Sequence, residues 1–427
     1  MRERPIVAEI VSDTYIPKMF KVRQKFNRDH INKEDIPEII SKLLNDEKFA
    51  SRVRPGMRIA ITAGSRGIAN VALITKSIVD FVKSRGAQPF IVPAMGSHGG
   101  ATAEGQIEIL TGYGITEEYL GCPIISSMEV TKIGVNEEGG DVFIDKNAAA
   151  ADGIIVSCRI KPHTSFRGPY ESGIMKMMAI GLGKQHGAEK CHSQGYQNMT
   201  KNVPLFGKCV LKNAPVLFAV PVIENAFDET CGIYAVAAED VETEEPKLLK
   251  EAFARMPRIL FDSCDVLVVD QIGKNFSGTG MDPNITGTFI NSYASGGIKS
   301  QRVVALDLSE ESHGNGIGVG YSSVTTKRLV GKLDFSKMYP NSITCTVIEG
   351  VRVPIIMESD KEAIQVALKT STEINRENPR IVRIPNSLHI EHIMLSEAYW
   401  EEAKANDMIE IESDPAYLPF DSNGNLW

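Results

Sequence analysis

The hydrophobic pattern first becomes ordered at residues 57–64, MRIAITAG, a β-rich run that ends in Gly64. In the next stretch, NVALITKSIVDFVKSRG, Ile74, Ile78, Phe81 and Val82 recur at helical spacing and Gly86 stands where a C-terminal cap belongs. QPFIVPAMG then reads as a second buried strand. Strand, helix and strand in close succession make a βαβ unit, which implies a parallel sheet and α/β architecture. The same reasoning predicts a helix over 103–112, strands over 153–158 and 215–221, and a polar-faced helix over 241–256. From 258 on, CDVLVVDQIG, RVVALDL, ITCTVIEG and RIVRIPN read as strands, with helices near 323–331 and 359–369. The pattern is therefore α/β twice, as an N-terminal domain 1–257 and a C-terminal domain 258–427. The tail from 395, with Trp400 and Trp427, is free to pack back on the N-terminal domain.

Composition narrows the class. A chain of 427 residues exceeds one ordinary core, which supports two domains. Apolar residues at 43% and charged residues at 23% are average for a globular protein. A net charge of −8 argues against a nucleic-acid or anionic-membrane surface, either of which needs clustered lysine and arginine. The seven dispersed cysteines form no CxxC pair, which suits a reducing cytoplasm better than a disulfide framework or a zinc ribbon. MRERPIVAEIVSD lacks the apolar stretch of a secretory signal. No internal repeat is visible. The expected partner is a small-molecule substrate, and a homo-oligomer is compatible with the sequence.

Ligands of α/β sheets collect at the carboxyl ends of strands. Three loops leave such ends: TAGSRGIAN with Gly64, Ser65 and Arg66, GSHGGATAEGQ with His98, and RIKPHTSFRG with His163. They are expected to converge on one crevice. The first loop is either a tight turn with an exposed arginine or a phosphate- or carboxylate-binding turn. His98 lies among glycines and has little bulk to shield it, which favours a ligand-facing ring. His163 is either a solvent-facing loop residue or a site residue. Three of the eight histidines fall between 163 and 192. His192 follows Cys191, and adjacent helical residues point about 100° apart, so both do not reach one ion. His186 is the competing ligand. Lys176, in a short run of Met and Ile, either extends its amine outward or is buried for a purpose.

Assembled in order, these residues resemble the lactate racemase family, whose members use a nickel-pincer nucleotide. The resemblance rests on Arg66, the Gly-Ser-His loop at His98, Pro162-His163, GPYESGIMK ending at Lys176, and His192. It covers most of the chain and is strongest over 58–195. It implies two α/β domains with an active-site cleft between them, the first with a Rossmann-like parallel sheet. It also implies that Lys176 tethers the cofactor, that His192 ligates nickel, and that His98 and His163 form an acid/base pair. Gly64, Ser65 and Arg66 would contact cofactor, and Arg66 also substrate. The chain departs from the family pattern in four places, one of them a loop between His163 and Lys176 that is a few residues longer. Ile174-Met175 replaces glycine before the lysine, crowding the approach to it. Ala63 stands where an aspartate is usual. SGTGMDPNITGTF lacks the glutamine and lysine that hold lactate. Asp282, Asn284 and Thr286 are candidate substrate contacts instead, which suits a more hydroxylated molecule.

The implied activity is an isomerase, a racemase or epimerase of a 2-hydroxy acid or related polyhydroxylated compound. Histidine suits the proton transfers because it titrates near neutrality. The alternatives are an NAD-type oxidoreductase, suggested by TAGSRGI, and a metal- or nucleotide-binding homologue without racemase activity.

Overall fold

The computed structural model describes residues 5–345 and 347–427. Contacts divide the chain into one unit of Asn27–Met256 and another formed by the residues up to Phe26 with Pro257–Trp427. Each is an α/β arrangement around its own sheet.

In Asn27–Met256 the sheet runs in the order Gln88–Pro93, Arg58–Ala63, Gly153–Arg159, Val216–Glu224, Thr230–Ile233, with Val236–Ala237 also on Val216–Glu224. The first four strands are mutually parallel. Their side chains alternate between two cores. Ile59, Ile61, Ile91, Ile155, Phe218 and Val220 face one side, where Ile74, Ile78 and Val82 of the helix Val71–Ser84 and Ile36 and Ile40 meet them. Ala60, Phe90, Val92, Ile154, Val156 and Ala219 face the other, against Met175, Met178, Val203 and Val210. Burial on both faces explains why these strands read as continuous apolar runs.

The strand order also creates a switch point. Arg58–Ala63 is the first strand of this sheet, and the chain passes from it to one neighbour, Gln88–Pro93, and later to the other, Gly153–Arg159. Where successive connections depart in opposite directions, a crevice opens at the carboxyl ends of the strands. The loops carrying Arg66, His98 and His163 leave these three neighbouring ends.

The other unit has an eight-stranded sheet ordered Ile355–Met357, Val324–Thr326, Lys299–Leu308, Ser263–Ile272, Ile381–Ile384, His392–Ser396, Met19–Gln24, Ile409–Ile411. Residues 19–24 pair antiparallel with His392–Ser396, from Met19 opposite Ser396 to Arg23 opposite His392. The sequence pattern assigns these residues to the N-terminal half, because strand pairing between such distant segments leaves no local trace. Packing supplies the reason for it. Phe20 is fully buried and meets Trp400 edge-on at 4.9 Å.

Two elements differ from the pattern. Among the described residues of the run 343–350, rich in β-branched residues, none extends a sheet. The helix Phe335–Cys345 runs into it, and Ser342 holds both the amide and the carbonyl of Val347, at 3.2 and 2.8 Å. Such local bonds compete with a ladder. The segment near 323–331 is a short strand, Val324–Thr326, followed by the helix Lys327–Gly331, which Thr326 caps through the amide of Leu329. Among the described residues no helix is long and apolar enough to cross a membrane.

Replacing Phe20 by alanine removes the aromatic that fastens the N-terminal strand. Loss of a buried phenylalanine costs about 3–5 kcal/mol, so thermal unfolding of Phe20→Ala should begin well below that of the parent chain. A melting curve unchanged from the parent would show that the strand is held by its ladder alone.

Candidate active site

Ser65 and Arg66 follow directly on the strand Arg58–Ala63. The Tyr113 hydroxyl donates to the Ser65 carbonyl at 2.8 Å, and the Ser65 hydroxyl makes a short hydrogen bond with Nδ1 of His98. The first two loops are thus joined at Ser65. Gly64 lies against Met177. Arg66 keeps solvent access, and burial and the neighbouring Arg159 lower its pKa. Ala69, just ahead of the helix Val71–Ser84, donates its amide to the Glu224 carboxylate at 2.7 Å. A carboxylate therefore sits where the pyrophosphate of a dinucleotide would need that amide.

The His98 loop is held from beneath. The Gln106 amide group donates to the carbonyls of Gly96 at 2.9 Å and His98 at 3.2 Å, and its oxygen accepts from the Lys184 ammonium at 3.1 Å. Lys184 also donates to the Pro93 carbonyl and pairs with Asp145 at 3.3 Å. Gln106, Lys184 and Asp145 are all fully buried. The His98 loop lies directly on the helical segment 174–181. A Cβ on Gly181 would stand 2.7 Å from the Ala94 carbonyl oxygen, so only glycine allows this approach.

The His163 loop is closed at its base by reciprocal backbone hydrogen bonds between Lys161 and Ser172, at 2.9 and 3.2 Å. Glu171, buried, gathers the loop inward. Its carboxylate accepts the amides of His163 at 2.7 Å and Gly168 at 3.2 Å and pairs with Arg167 at 3.2 Å. Arg167 in turn donates to the His163 carbonyl at 2.6 Å. The His163 ring lies 4.3 Å from that of Phe166, and its Nδ1 accepts the Ser165 amide at 3.0 Å. Burial first, and then the positive charges of Lys176, His192, Arg167 and Arg66, hold its pKa well below the usual histidine value.

Lys176 stands in the first turn of the helix Ile174–Lys176, which continues as a π-helical turn, Met177–Gly181. The buried Glu245 caps this start by accepting the Met175 amide at 2.9 Å. A Cβ on Gly173 would collide with its Oε1, which explains the glycine. The Lys176 amine lies 3.5 Å from the Ser172 hydroxyl. Burial and the Arg66 charge push its pKa down from 10.5 to about 8.

His192 ends the helix Lys184–His192 and directs Nδ1 at the Ala188 carbonyl, 2.7 Å away. A carbonyl only accepts, so Nδ1 carries the proton and the neutral ring keeps its lone pair on Nε2. This is how metal-binding imidazoles are oriented. Burial lowers its pKa and favours that neutral form. Cys191 is fully buried, and burial raises its thiol pKa to about 12, far from the thiolate a metal requires. His186 stacks edge-on against Phe143 at 4.5 Å.

Arg66, His163, Lys176 and His192 thus share one electrostatic neighbourhood, and Ser65 joins His98 to Arg66. The carboxylates beside them are engaged elsewhere, Glu171 by Arg167 and Glu224 by Arg159. The surplus is positive. Among the described residues no three His, Cys, Asp or Glu side chains are grouped to hold an ion. A metal at His192 would take its other donors from a bound group, and an anionic nucleotide suits the positive surroundings.

Residues 10–202 match the model of the lactate racemase N-terminal domain. This stretch of the chain is thus similar to a lactate racemase N-terminal domain. Among solved structures, the lactate racemase apoprotein from Thermoanaerobacterium thermosaccharolyticum is similar at 14% identity, with a TM-score of 0.46, over 67% of this chain and 74% of that one. No curated protein matches the chain.

All of Arg66, His98, His163, Lys176 and His192 fall within residues 10–202. Asp282, Asn284 and Thr286 lie in the other unit, where they build a capped turn. Asp282 accepts the amide and the side-chain NH2 of Asn284, both at 2.9 Å, and Thr286 donates back to the Asp282 carbonyl at 3.1 Å. The pattern of polar and apolar positions misses Gln106, Asp145, Glu171, Lys184 and Glu245. Each is a polar residue whose burial is decided by distant partners, and only Lys184, set among glycines, stands out in the chain.

Lys184→Met should destabilise the lactate-racemase-like domain by about 3–5 kcal/mol, the cost of leaving a buried charge unpaired. Adding Asp145→Asn should recover part of it. Denaturant unfolding of the three proteins checks this, and additive losses would refute the pairing. Lys176 gives a pH signature. Its folded-state pKa is depressed, so the folded chain binds fewer protons than the unfolded one between about pH 8 and 10.5. Stability from this group therefore rises with pH across that window and is lost as pH falls through about 8. Lys176→Met should flatten the slope in melting temperatures taken from pH 7 to 10.

Proposed function

We propose that this chain is a member of the lactate racemase family, an isomerase that racemises or epimerises a 2-hydroxy acid or a related polyhydroxylated compound with the help of a nickel-pincer nucleotide. One observation carries the reading. Within the lactate-racemase-like domain, the amine of Lys176, the Nε2 lone pair of His192, the Arg66 guanidinium and the His163 ring gather in one positive neighbourhood, with His98 joined to it through Ser65.

When bound, the cofactor supplies a pyridinium ring able to take up and return a hydride. The chain's own residues do the rest. Lys176 is the group that would form the tether, since an amine with a pKa near 8 is partly neutral at physiological pH. Nε2 of His192 would hold the nickel. Arg66 meets the substrate carboxylate or the cofactor phosphate, for which a guanidinium offers a planar fork of donors. His98 and His163 serve the substrate oxygens. Asp282, Asn284 and Thr286 are proposed to select a substrate with more hydroxyl groups than lactate. The protein acts without a nucleic acid or membrane partner, in the cytoplasm.

The test is expression with and without the enzymes that make the cofactor. With them, the intact mass should rise, and peptide mapping should place the adduct on Lys176 and not on Lys184. His192→Ala should lose nickel while Cys191→Ala retains it, and equal nickel in the two would overturn the ligand assignment. A 2-hydroxy acid should change hand without net redox change. Stoichiometric nicotinamide absorbance would mark an oxidoreductase instead.

A further inference from the structure

The unit built on the eight-stranded sheet holds a cavity of about 370 Å³ that the proposed activity does not use. Small-molecule sites fall between about 300 and 1,000 Å³. Of its lining, Leu368, Ile374 and Pro379 are buried or half-buried, while Asp13, Lys369 and Arg376 are exposed. The floor is therefore apolar and the rim charged. The cavity lies at the amino ends of the parallel strands. The helix Asp360–Thr370 ends there, and Arg302, near the start of Lys299–Leu308, donates to the Thr370 carbonyl at 2.7 Å. Pro379 stands just ahead of Ile381–Ile384, which runs parallel to Ser263–Ile272, as Lys299–Leu308 does. Ligands of a parallel sheet gather at the opposite, carboxyl ends. This cavity is thus a separate place on the fold.

The charges of its rim are unevenly matched. Lys369 pairs with Asp13 at 3.1 Å, and the two side chains are 41% and 75% exposed. Exposed pairs contribute little, so a competing carboxylate displaces Asp13 at small cost. Arg376 donates to the carbonyls of Leu368 at 3.3 Å and Ser371 at 3.0 Å. These bonds fix the guanidinium and occupy two of its five donors. Among the described residues no carboxylate pairs with it. Two cations and one anion therefore stand over an apolar floor.

We propose that this cavity binds a small monocarboxylate with an apolar tail. The carboxylate sits between Lys369 and Arg376, where a planar guanidinium matches its two oxygens and one negative charge offsets the surplus positive one. The tail lies against Leu368, Ile374 and Pro379, where leaving water is its driving force. The proposal does not depend on the function proposed above.

Hexanoate is the probe, added to the full chain with its isoleucine methyl groups labelled for NMR. The Ile374 signal, assigned by its absence in Ile374→Val, should shift and saturate with a dissociation constant of about 1 mM or below. Hexylamine has the same tail and the opposite charge, and lactate has the same charge without the tail. Each should bind about tenfold more weakly or worse. Arg376→Gln should weaken hexanoate by about tenfold or more. Should that variant not fold, Lys369→Gln carries the same expectation. Asp13→Asn removes the competitor for Lys369 and should tighten binding by about threefold. An Ile374 signal that does not saturate overturns the proposal, as does hexylamine or lactate binding as well as hexanoate. Weaker binding in Asp13→Asn would overturn it too, since Asp13 would then be a partner of the ligand and not its rival.

Discussion

Lys184 has no water to solvate its ammonium, so the protein has to do it. Its ammonium donates to the Pro93 carbonyl and the Gln106 side-chain oxygen and pairs electrostatically with Asp145. Each partner fixes a different part of the site. Pro93 ends the strand that leads to His98. Gln106 holds the carbonyls of Gly96 and His98. Asp145 caps the following turn through the amides of Asn147 and Ala148. Lys184 itself opens the helix that ends at His192, with φ at 54°, a left-handed conformation costing about 1–3 kcal/mol in a residue other than glycine. A glycine there would relieve the backbone and forfeit the ammonium. The strain persists because the ion is surrounded by acceptors that nothing else could satisfy.

The carboxylates follow a related logic. Glu171, Glu245, Glu224 and Asp145 each accept backbone amides, and so act as frame. Burial raises the pKa of Glu245 to about 8, so near neutrality the folded chain holds a proton there that the unfolded chain has released. That costs stability as pH rises from the ordinary carboxylate range toward 8, and the cost is met because no other group can cap the start of the Lys176 helix so closely. With the acids committed to backbone, the cations Arg66 and Lys176 set the charge of the site. The electrostatics that favour an anionic ligand come from where the acids are used, since the chain as a whole is negative.

The strands of the first sheet were legible because both faces are buried and the apolar runs are uninterrupted. Ile59, Ile61, Ile91 and Ile155 leave no other reading. The loops at their ends, with Arg66, His98 and His163, followed from the rule that parallel strands gather ligands at their carboxyl ends. Lys176 and His192 needed the family resemblance, since a lysine in a Met-rich turn and a histidine beside a cysteine are ambiguous alone. Met19–Gln24 was hidden, because its partner His392–Ser396 lies at the far end of the chain. The run 343–350 misled, because the helix Phe335–Cys345 runs into it and Val347 is bound by Ser342. The buried network of Gln106, Asp145 and Lys184 was illegible for a similar reason: a polar residue in the chain looks the same whether solvent or a distant partner will satisfy it.

The departure from the family pattern at Ile174-Met175 is accommodated in the core. Both side chains are fully buried, and both belong to the cluster with Val156, Val203 and Val210. They are one and two positions before Lys176, which turns them about 100° and 200° away from it around a helix. They do not crowd its amine. What they change is the anchoring of the turn: two buried apolar side chains hold the backbone that glycines would leave free. Burial and Arg66 then act on a lysine whose position is set. With a pKa of about 8, about a tenth of it is neutral at pH 7, against well under a thousandth for an ordinary lysine. The amine is thereby prepared for chemistry before any ligand arrives.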